Sequence, residues 1–299
     1  MIYTKLENFS AHLLSKEILK MFDCHNTLVF DTTWTDESDL VVIENYLKEN
    51  PHNRILVIST FDQPLHGHLH DIRLNHISAK NFCFWLIAVD KFFLKYTKED
   101  VTPTKFNNNF LCYQRKIYDE REILYELLKN KKGVITIGNK IFESINNNLP
   151  EHSGYIDIDI HYPTLNDIWS LGNIDVWNSS FLNIVTETTQ DLKSPDHFLS
   201  EKTFKPIIGM RPFLINGHPH SSKVLRDMGF ETFDDDFGYS PSDSYLNNSL
   251  QLLQIVDNLN DIESLYKKLL PKIEHNKNNL ETAVKNEWDK IKILSNDFN

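Results

Sequence analysis

The chain carries a serine, a glutamate and two lysines close together, at Ser200, Glu201, Lys202 and Lys205. The three-residue spacing of the lysines predicts that both ammonium groups lie on one face of the first turn of a helix. Ser200 is typical of a helix N-cap, and Glu201 is an acceptor for hydroxyl groups. Free N–H groups at a helix N-terminus together with ammonium groups form an anion site. The segment therefore predicts a site for a phosphate group with a sugar attached.

An ordinary capped helix start is the alternative for this segment. Ser200 followed by Glu201 is common at helix starts that bind nothing. The two lysines favour a functional site over an ordinary cap. Cations in the first turn oppose the helix dipole, so a ligand is the better reason for their presence there.

Charged residues also follow two predicted strands. The apolar run Phe110-Leu-Cys-Tyr113 leads into Arg115 and Lys116, and the run 181–186 leads into Glu187. Ligands of open α/β sheets bind beyond the carboxyl ends of strands. Arg115 has the geometry to bind a diphosphate with two parallel hydrogen bonds, unless Arg115 and Lys116 are simply an exposed loop pair. Glu187 could hold a hydroxyl of a sugar or ribose, or cap its own loop.

Short apolar runs alternate with helix-like segments, which predicts an α/β fold with parallel strands. In the first third we predict strands at 27–30, 55–60 and 82–89 and a helix at 37–49. Further along we predict strands at 110–113, 133–138, 181–186 and 212–215, and helices at 119–129, from residue 200, and at 221–228. From Ser244 the pattern is helical nearly to the end, with a break expected at Pro271.

The same pattern predicts two α/β domains of similar size. We place an acceptor-side domain at 1–104, a nucleotide-sugar-binding domain at 105–275, and a C-terminal helix that packs on the body at 276–299. A polar stretch at 101–109, which contains Pro103, is the candidate linker between the domains.

Composition excludes several classes of protein. The 299 residues include only 9 glycines, and neither of the glycine-rich phosphate loops occurs, which argues against dinucleotide oxidoreductases and P-loop enzymes. The formal net charge of −11 opposes nonspecific binding to nucleic acid.

The expected location is the cytoplasm, of a bacterium or of a virus-infected host cell. Cys24, Cys83 and Cys112 are widely spaced in or beside apolar runs, which indicates reduced thiols. The N-terminus lacks a signal pattern, and no apolar run is long enough for a membrane span, so we expect no membrane partner.

The charged segments occur in an order that resembles a known group of enzymes. Arg115-Lys116, Val185-Thr-Glu187, Leu199-Ser-Glu-Lys-Thr-Phe-Lys-Pro206 and Pro212-Phe-Leu-Ile-Asn-Gly217 follow one another along the chain. The set resembles the nucleotide-binding domain of GT-B glycosyltransferases, especially the fucosyltransferase-like group and its viral and bacterial relatives. The resemblance covers roughly residues 107–235.

The resemblance implies a fold of two Rossmann-like domains facing a central cleft, followed by C-terminal helices. The implied activity is a hexosyl or pentosyl transfer from a nucleotide-sugar donor to a hydroxyl acceptor, without a metal or other cofactor. The resemblance leaves the acceptor open between a glycan, a small molecule and a modified DNA base.

The resemblance also implies roles for individual residues. Arg115 and Lys202 would hold the donor phosphates, and Glu201 would contact the sugar or ribose of the donor. Glu187 and Lys205 would support them, and Glu187 is also a candidate catalytic carboxylate. Lys116 and Ser200 complete the implied donor-binding set.

An inverting transfer needs a base that deprotonates the acceptor hydroxyl. No residue of the N-terminal domain matches such a base in the related enzymes. Asp31, after the predicted strand at 27–30, is the candidate by topology, and Asp62 is second; either could be a loop or cap residue.

Two alternative functions remain open. One is the transfer of a sugar to a hydroxymethylated or already glycosylated base in DNA, as in some phage enzymes. The other is a nucleotide-ligand sensor on the same fold that lacks catalysis.

Two further clusters of side chains are weaker indications of a metal site. His66, His68 and His70 alternate but lack a fourth zinc ligand at a familiar spacing. The aspartates at 234–236 look like a solvated turn.

Overall fold

The chain divides into two compact units in a computed structural model. The structure describes residues 2–4, 27–32, 45, 48–49, 54–59, 74–78, 88–103, 105–114, 117–137, 140–143, 171–187, 192 and 199–296. The first unit is Met1–Ala88 with Val284–Asn299, and the second is Val89–Ala283. The division thus falls between Ala88 and Val89, whereas the sequence placed the boundary between residues 104 and 105.

The first unit contains a parallel sheet in the spatial order β1-β2-β3-β4. Its strands are β1 (Ile2–Thr4), β2 (Thr27–Thr32), β3 (Arg54–Ser59) and β4 (Leu74–Ser78). The predicted α/β class is confirmed, together with the strands expected at 27–30 and 55–60.

Other predictions for the first unit need correction. Asp31 was expected after a strand but lies inside β2, opposite Thr4 and Ile58, because pairing with both neighbours continues past the apolar run. Of the strand expected at 82–89, the last two residues fall outside any strand, and Ala88–Phe93 is a π-helical turn. The rest of that run lies outside the described residues, as does most of the helix expected at 37–49.

The second unit contains a sheet in the order β7-β6-β5-β8-β9. Its strands are β5 (Asn108–Cys112), β6 (Gly133–Ile137), β7 (Lys140–Glu143), β8 (Ser180–Thr186) and β9 (Phe213–Asn216). All neighbouring pairs are parallel except β6 and β7. Every residue of β6, β8 and β9 is buried, as expected for parallel strands, and each of these strands was predicted.

The described helices lie mainly in the second unit. They are α1 (Lys98–Val101), α2 (Asp119–Leu128), α3 (Ile174–Ser179), α4 (Glu201–Ile208), α5 (Ser221–Asp227), α6 (Asp234–Phe237), α7 (Tyr245–Asp257) and α8 (Ile262–Asn296). The helices predicted at 119–129, from residue 200 and at 221–228 are confirmed as α2, α4 and α5. The aspartates at 234–236 were expected in a turn but form the start of α6.

The break expected at Pro271 does not occur, because Pro271 lies inside the continuous helix α8. Proline removes the hydrogen bond to the carbonyl of Lys267, but both residues are exposed, so water can satisfy that carbonyl. Leu269 and Ile273 on either side are buried and keep the helix packed. Of the separate helix expected at 276–299, residues 276–296 are therefore the later part of α8, and the last three lie outside the described residues.

Arg211 links several elements of the second unit through hydrogen bonds. Its guanidinium is buried and donates hydrogen bonds to the backbone carbonyls of Val101 in α1, Trp177 in α3 and Ser180 in β8. Burial lowers the pKa of Arg211 to about 10. The stretch at 101–109, expected to be a linker, is thus an integral part of the second unit.

In the part of the chain that the structure describes, no helix is long and apolar enough to cross a membrane.

Candidate functional site

The carboxyl ends of β5, β6, β8 and β9 lie at one edge of the second sheet, because these strands are parallel. We call this the carboxyl edge. Thr186 ends β8 and lies opposite Asn216, which ends β9. Leu111 of β5 lies opposite Asn183 of β8, so the chain leaves β5 beside β8. In open α/β sheets this edge is the usual place for a ligand.

Glu187 follows β8 directly and binds the start of α4. Its carboxylate accepts hydrogen bonds from the backbone N–H of Ser200 at 3.0 Å, from the Ser200 hydroxyl at 2.6 Å, and from the Thr203 hydroxyl. A helix N-terminus favours an anion, because its N–H groups lack partners within the helix. Glu187 therefore holds the start of α4, and its expected roles as a support for donor binding and as a catalytic carboxylate stay predictions.

Gly217 lets the end of β9 approach Glu187 closely. A Cβ atom at Gly217 would lie 3.1 Å from the Cβ of Glu187 and 3.2 Å from Cγ2 of Ile215. Glu187 also donates its backbone N–H to the carbonyl of Asn216 at 3.4 Å. Glu187 is thus held both by β9 and by α4.

The start of α4 matches the sequence prediction. The hydroxyl of Ser200 caps the helix by accepting a hydrogen bond from the Lys202 N–H at 3.2 Å. The ammonium of Lys202 lies 3.1 Å from Oε1 of Glu201, forming an ion pair whose side chains are 24% and 3% exposed. The same ammonium lies 3.3 Å from the Ser200 hydroxyl. Ser200, Glu201 and Lys202 are therefore brought together, and Glu187 joins them.

The predicted position of Lys205 in the first turn is wrong. Lys205 lies in the last turn of the eight-residue helix α4 and is 9% exposed. A cation near the C-terminus of a helix is favoured by the helix dipole, so no ligand is needed to explain it there. The expectation that Lys205 supports donor binding stays a prediction.

Arg121 is a site residue that the sequence analysis missed. It is 6% exposed, and its guanidinium donates to the backbone carbonyls of Thr186 at 3.4 Å and Glu187 at 3.2 Å. It also lies over the ring of Tyr118, 5.2 Å from the ring centre. Burial lowers the pKa of Arg121. The available signal was its position three residues before Leu124, on the inward face of α2.

A cleft opens at the carboxyl edge with about 250 Å³ of empty space, including space open to solvent. Its lining comes from α2 and the turn before it, from the ends of β8 and β9, and from the first residue of α7. The lining residues are Tyr118, Glu120, Arg121, Thr186, Glu187, Asn216 and Tyr245. Two carboxylates and one guanidinium are among these described residues.

Two buried polar atoms of these lining residues have no hydrogen-bond partner within the part of the chain that the structure describes. They are Oγ1 of Thr186 and Oδ1 of Asn216, and both residues are 3% exposed. A buried polar atom without a partner costs free energy, and such atoms are uncommon in folded proteins. Both atoms belong to residues that end neighbouring strands at the carboxyl edge.

Cys112, at the end of β5, is not a candidate nucleophile. It is a free, fully buried thiol, as expected from the sequence. Burial raises the pKa of Cys112 to about 12, which disfavours the reactive thiolate. Cys24 and Cys83 lie outside the described residues.

Most of the remaining predicted site residues fall in parts of the chain that the structure does not describe. Arg115 and Lys116 follow β5 in the sequence but lie outside the described residues, as do Asp62 and the histidines at 66, 68 and 70. Asp31 belongs to the first unit. Among the described residues, no group of three or more His, Cys, Asp or Glu is arranged to hold a metal ion.

Comparison with known proteins adds no assignment. No family model, no curated protein and no solved structure gives a significant match to this chain.

Proposed function

We propose that the chain is a glycosyltransferase of the two-domain GT-B type. Its second unit binds the nucleotide-sugar donor at the carboxyl edge, and its first unit serves the acceptor. One observation carries the proposal: the Ser200-Glu201-Lys202 start of α4 is tied to the end of β8 through Glu187, beside the exit of the chain from β5. Three of the segments that carry the resemblance, 185–187, 199–206 and 212–217, have residues at one edge of one sheet, which supports the proposal.

Binding of the diphosphate depends on the cations near this edge. The Lys202 side chain is partly exposed and is the described ammonium at the start of α4. Arg115 and Lys116 follow β5, whose neighbour is β8. The N-terminus of α4 faces the carboxyl edge. The helix dipole of α4 therefore adds a potential that favours an anion at this edge. Glu201 is positioned by Lys202 and would accept hydroxyls of the donor.

The chemical step would use electrostatic stabilisation of the leaving group. The acceptor oxygen attacks the anomeric carbon, the bond from that carbon to the diphosphate oxygen breaks, and the diphosphate leaves with the bonding electrons. Cations aimed at the departing oxygen lower the barrier. The acceptor proton goes to a carboxylate, for which Asp31 is the candidate.

The test is turnover by the full chain with a panel of UDP, GDP, CMP and dTDP sugars, measured as release of the nucleotide. We expect turnover with one donor class, and we expect Lys202→Ala to lower kcat/KM by well over tenfold. Groups that meet a developing anion contribute about 2–4 kcal/mol. Lys223→Ala in α5 is the matched control, because Lys223 is an exposed lysine paired with Asp227.

Lys202→Ala also removes a partner of the buried Glu201. The unfolding midpoint of the variant is therefore measured, and turnover is compared well below that midpoint. Wild-type turnover in Lys202→Ala would contradict the proposal, and nucleotide binding without turnover on any acceptor would replace it with a sensor.

A further inference from the structure

We propose that Arg121 is a positioning residue that sets the orientation of the first turn of α4, and with it the place of the Lys202 ammonium. Arg121 lies on α2 and acts through the end of β8 and through Glu187. Where the inference concerns a donor held by Lys202, it rests on the proposed function. Where it concerns the position of α4, it stands without that function.

The first link joins Arg121 to the backbone at the end of β8. One nitrogen of the guanidinium, Nη2, donates to the carbonyls of Thr186 at 3.4 Å and Glu187 at 3.2 Å. The Glu187 N–H pairs with Asn216 of β9. In a trans peptide the Thr186 carbonyl therefore faces the opposite side, toward β5, which has ended at Cys112. Arg121 thus supplies a donor to a buried carbonyl that lies beyond the pairing with β5.

Tyr118 holds the face of the same guanidinium. Its ring lies 5.2 Å from the central carbon of the Arg121 guanidinium, measured to the ring centre. A guanidinium over the face of an aromatic ring is attracted by that ring, while its N–H groups remain in its own plane and can donate sideways. Arg121 is therefore held at its face by Tyr118 and at its edge by the strand end. A positioning group needs this kind of rigid support.

The second link runs from Glu187 into α4. The Glu187 carboxylate accepts from the N–H of Ser200 at 3.0 Å, from the Ser200 hydroxyl at 2.6 Å, and from the Thr203 hydroxyl. The Ser200 hydroxyl in turn lies 3.3 Å from the Lys202 ammonium. Because Arg121 binds the carbonyl of Glu187 itself, a shift of this backbone would move the first turn of α4 and the Lys202 ammonium.

The alternative is that Arg121 only anchors α2 to the sheet. However, α2 also packs through Leu124 and Leu128, which are both fully buried, so its attachment does not depend on Arg121 alone. Loss of a general anchor would loosen the whole second unit, whereas loss of a positioning residue would loosen the start of α4 first. The two roles therefore differ in where the backbone opens.

The experiment is hydrogen–deuterium exchange of the full chain, measured by mass spectrometry on peptides that cover 199–204 and 133–137. Arg121→Met removes the donor but keeps a long side chain, and we expect exchange at 199–204 to become about tenfold faster while β6 stays near the wild-type rate. Arg121→Lys keeps the charge and a donor, so it should restore part of the protection. Tyr239→Phe is the control, because the Tyr239 hydroxyl also donates to a strand carbonyl, that of Ile215 at 3.1 Å, and it should leave 199–204 unchanged.

A double variant tests whether Arg121 acts through Glu187. If both belong to one series of contacts, Arg121→Met combined with Glu187→Gln should exchange at 199–204 no faster than the faster single variant. If the two accelerations multiply instead, Arg121 acts independently of Glu187 and the inference is overturned.

Calorimetry with UDP, GDP, CMP and dTDP extends the test to the donor. For the nucleotide that the wild type binds, Arg121→Met should weaken the Kd about tenfold, and Lys202→Ala should cost less affinity in that background than in the wild type. If the wild type binds none of the four, the proposed function fails, but the exchange rates still decide whether Arg121 positions α4.

Three exchange results would overturn the inference. They are a wild-type rate at 199–204 in Arg121→Met, equal acceleration at 199–204 and 133–137, and failure of both Arg121 variants to fold, since the last two assign Arg121 to the stability of the whole unit. Nucleotide binding that depends on Lys202 but is the same in Arg121→Met as in the wild type would keep the proposed function and remove the role of Arg121 in it.

Discussion

Thr136 and Thr186 both lie at the ends of parallel strands in the second unit, yet their hydroxyls have opposite environments. The Thr136 hydroxyl accepts from the Gln114 N–H at 2.9 Å and donates to the Gln114 carbonyl at 3.3 Å. The Thr186 hydroxyl is equally buried and has no partner among the described residues. The first hydroxyl therefore stabilises the strand ends, whereas the second has no protein hydrogen bond there to offset its burial.

This contrast predicts different responses to the same substitution. Thr136→Val should lower the free energy of unfolding by about 1–3 kcal/mol, because it leaves buried backbone groups without a partner. Thr186→Val should leave the free energy of unfolding unchanged or raise it, because it removes an unpartnered polar atom at nearly constant shape. Urea unfolding curves measure both effects. The midpoints of the variants are compared at a common slope of the free energy of unfolding against urea concentration. Equal losses in the two variants would show that the Thr186 hydroxyl has a partner in solution.

At the scale of elements, the junction of β8 and α4 forms the framework of the candidate site. Glu187 joins the two elements through Ser200 and Thr203, and Gly217 leaves room for it at the end of β9. Glu187, which follows the strand, is thereby buried at 5% exposure and held by hydrogen bonds to α4. Rigid support of this kind is what a binding group needs to keep its geometry.

Glu187→Gln tests this junction. The amide keeps the shape but offers one acceptor oxygen in place of two and loses the charge that the helix N-terminus favours. We expect the free energy of unfolding to fall by about 1–3 kcal/mol, because buried donors at Ser200 and Thr203 lose partners. Glu122→Gln, on the exposed face of α2, is the control for the loss of one charge and should be near neutral. If both variants unfold at the same urea concentration, Glu187 does not hold α4.

The apolar runs explain which elements were predictable. The fully buried strands β6 and β8 stand out because parallel strands are apolar along their whole length. The strands β4 and β7 are short, and pairing with a neighbouring strand, rather than their own pattern, defines them. Pro271 is the opposite case. Its sequence signal for a helix break is strong, but the packing of Leu269 and Ile273 keeps α8 continuous.

The site was partly predictable for a related reason. Ser200, Glu201 and Lys202 are adjacent in the sequence, so their grouping at a helix start is a local property. Arg121 and the Thr186–Asn216 pair depend on contacts between distant segments, which a single sequence does not display. Whether the Thr186 hydroxyl has a partner is likewise a property of the folded state alone.

At the scale of the whole molecule, the net charge of −11 opposes the approach of an anionic nucleotide. The proposed nucleotide binding would then depend on short-range contacts in the second unit, chiefly those of Lys202 and of the basic pair that follows β5 in the sequence. A substitution of one such cation should therefore have a large effect on affinity, while a distant charge should have little.

The most direct measurement is a calorimetric titration of the full chain with UDP, GDP, CMP and dTDP, repeated for Lys202→Ala and Lys223→Ala. The account predicts that one nucleotide saturates the wild type and Lys223→Ala with similar Kd values, and that Lys202→Ala binds it more than tenfold more weakly. Absence of binding by every nucleotide, or equal affinity in wild type and Lys202→Ala, would contradict a donor site at the start of α4.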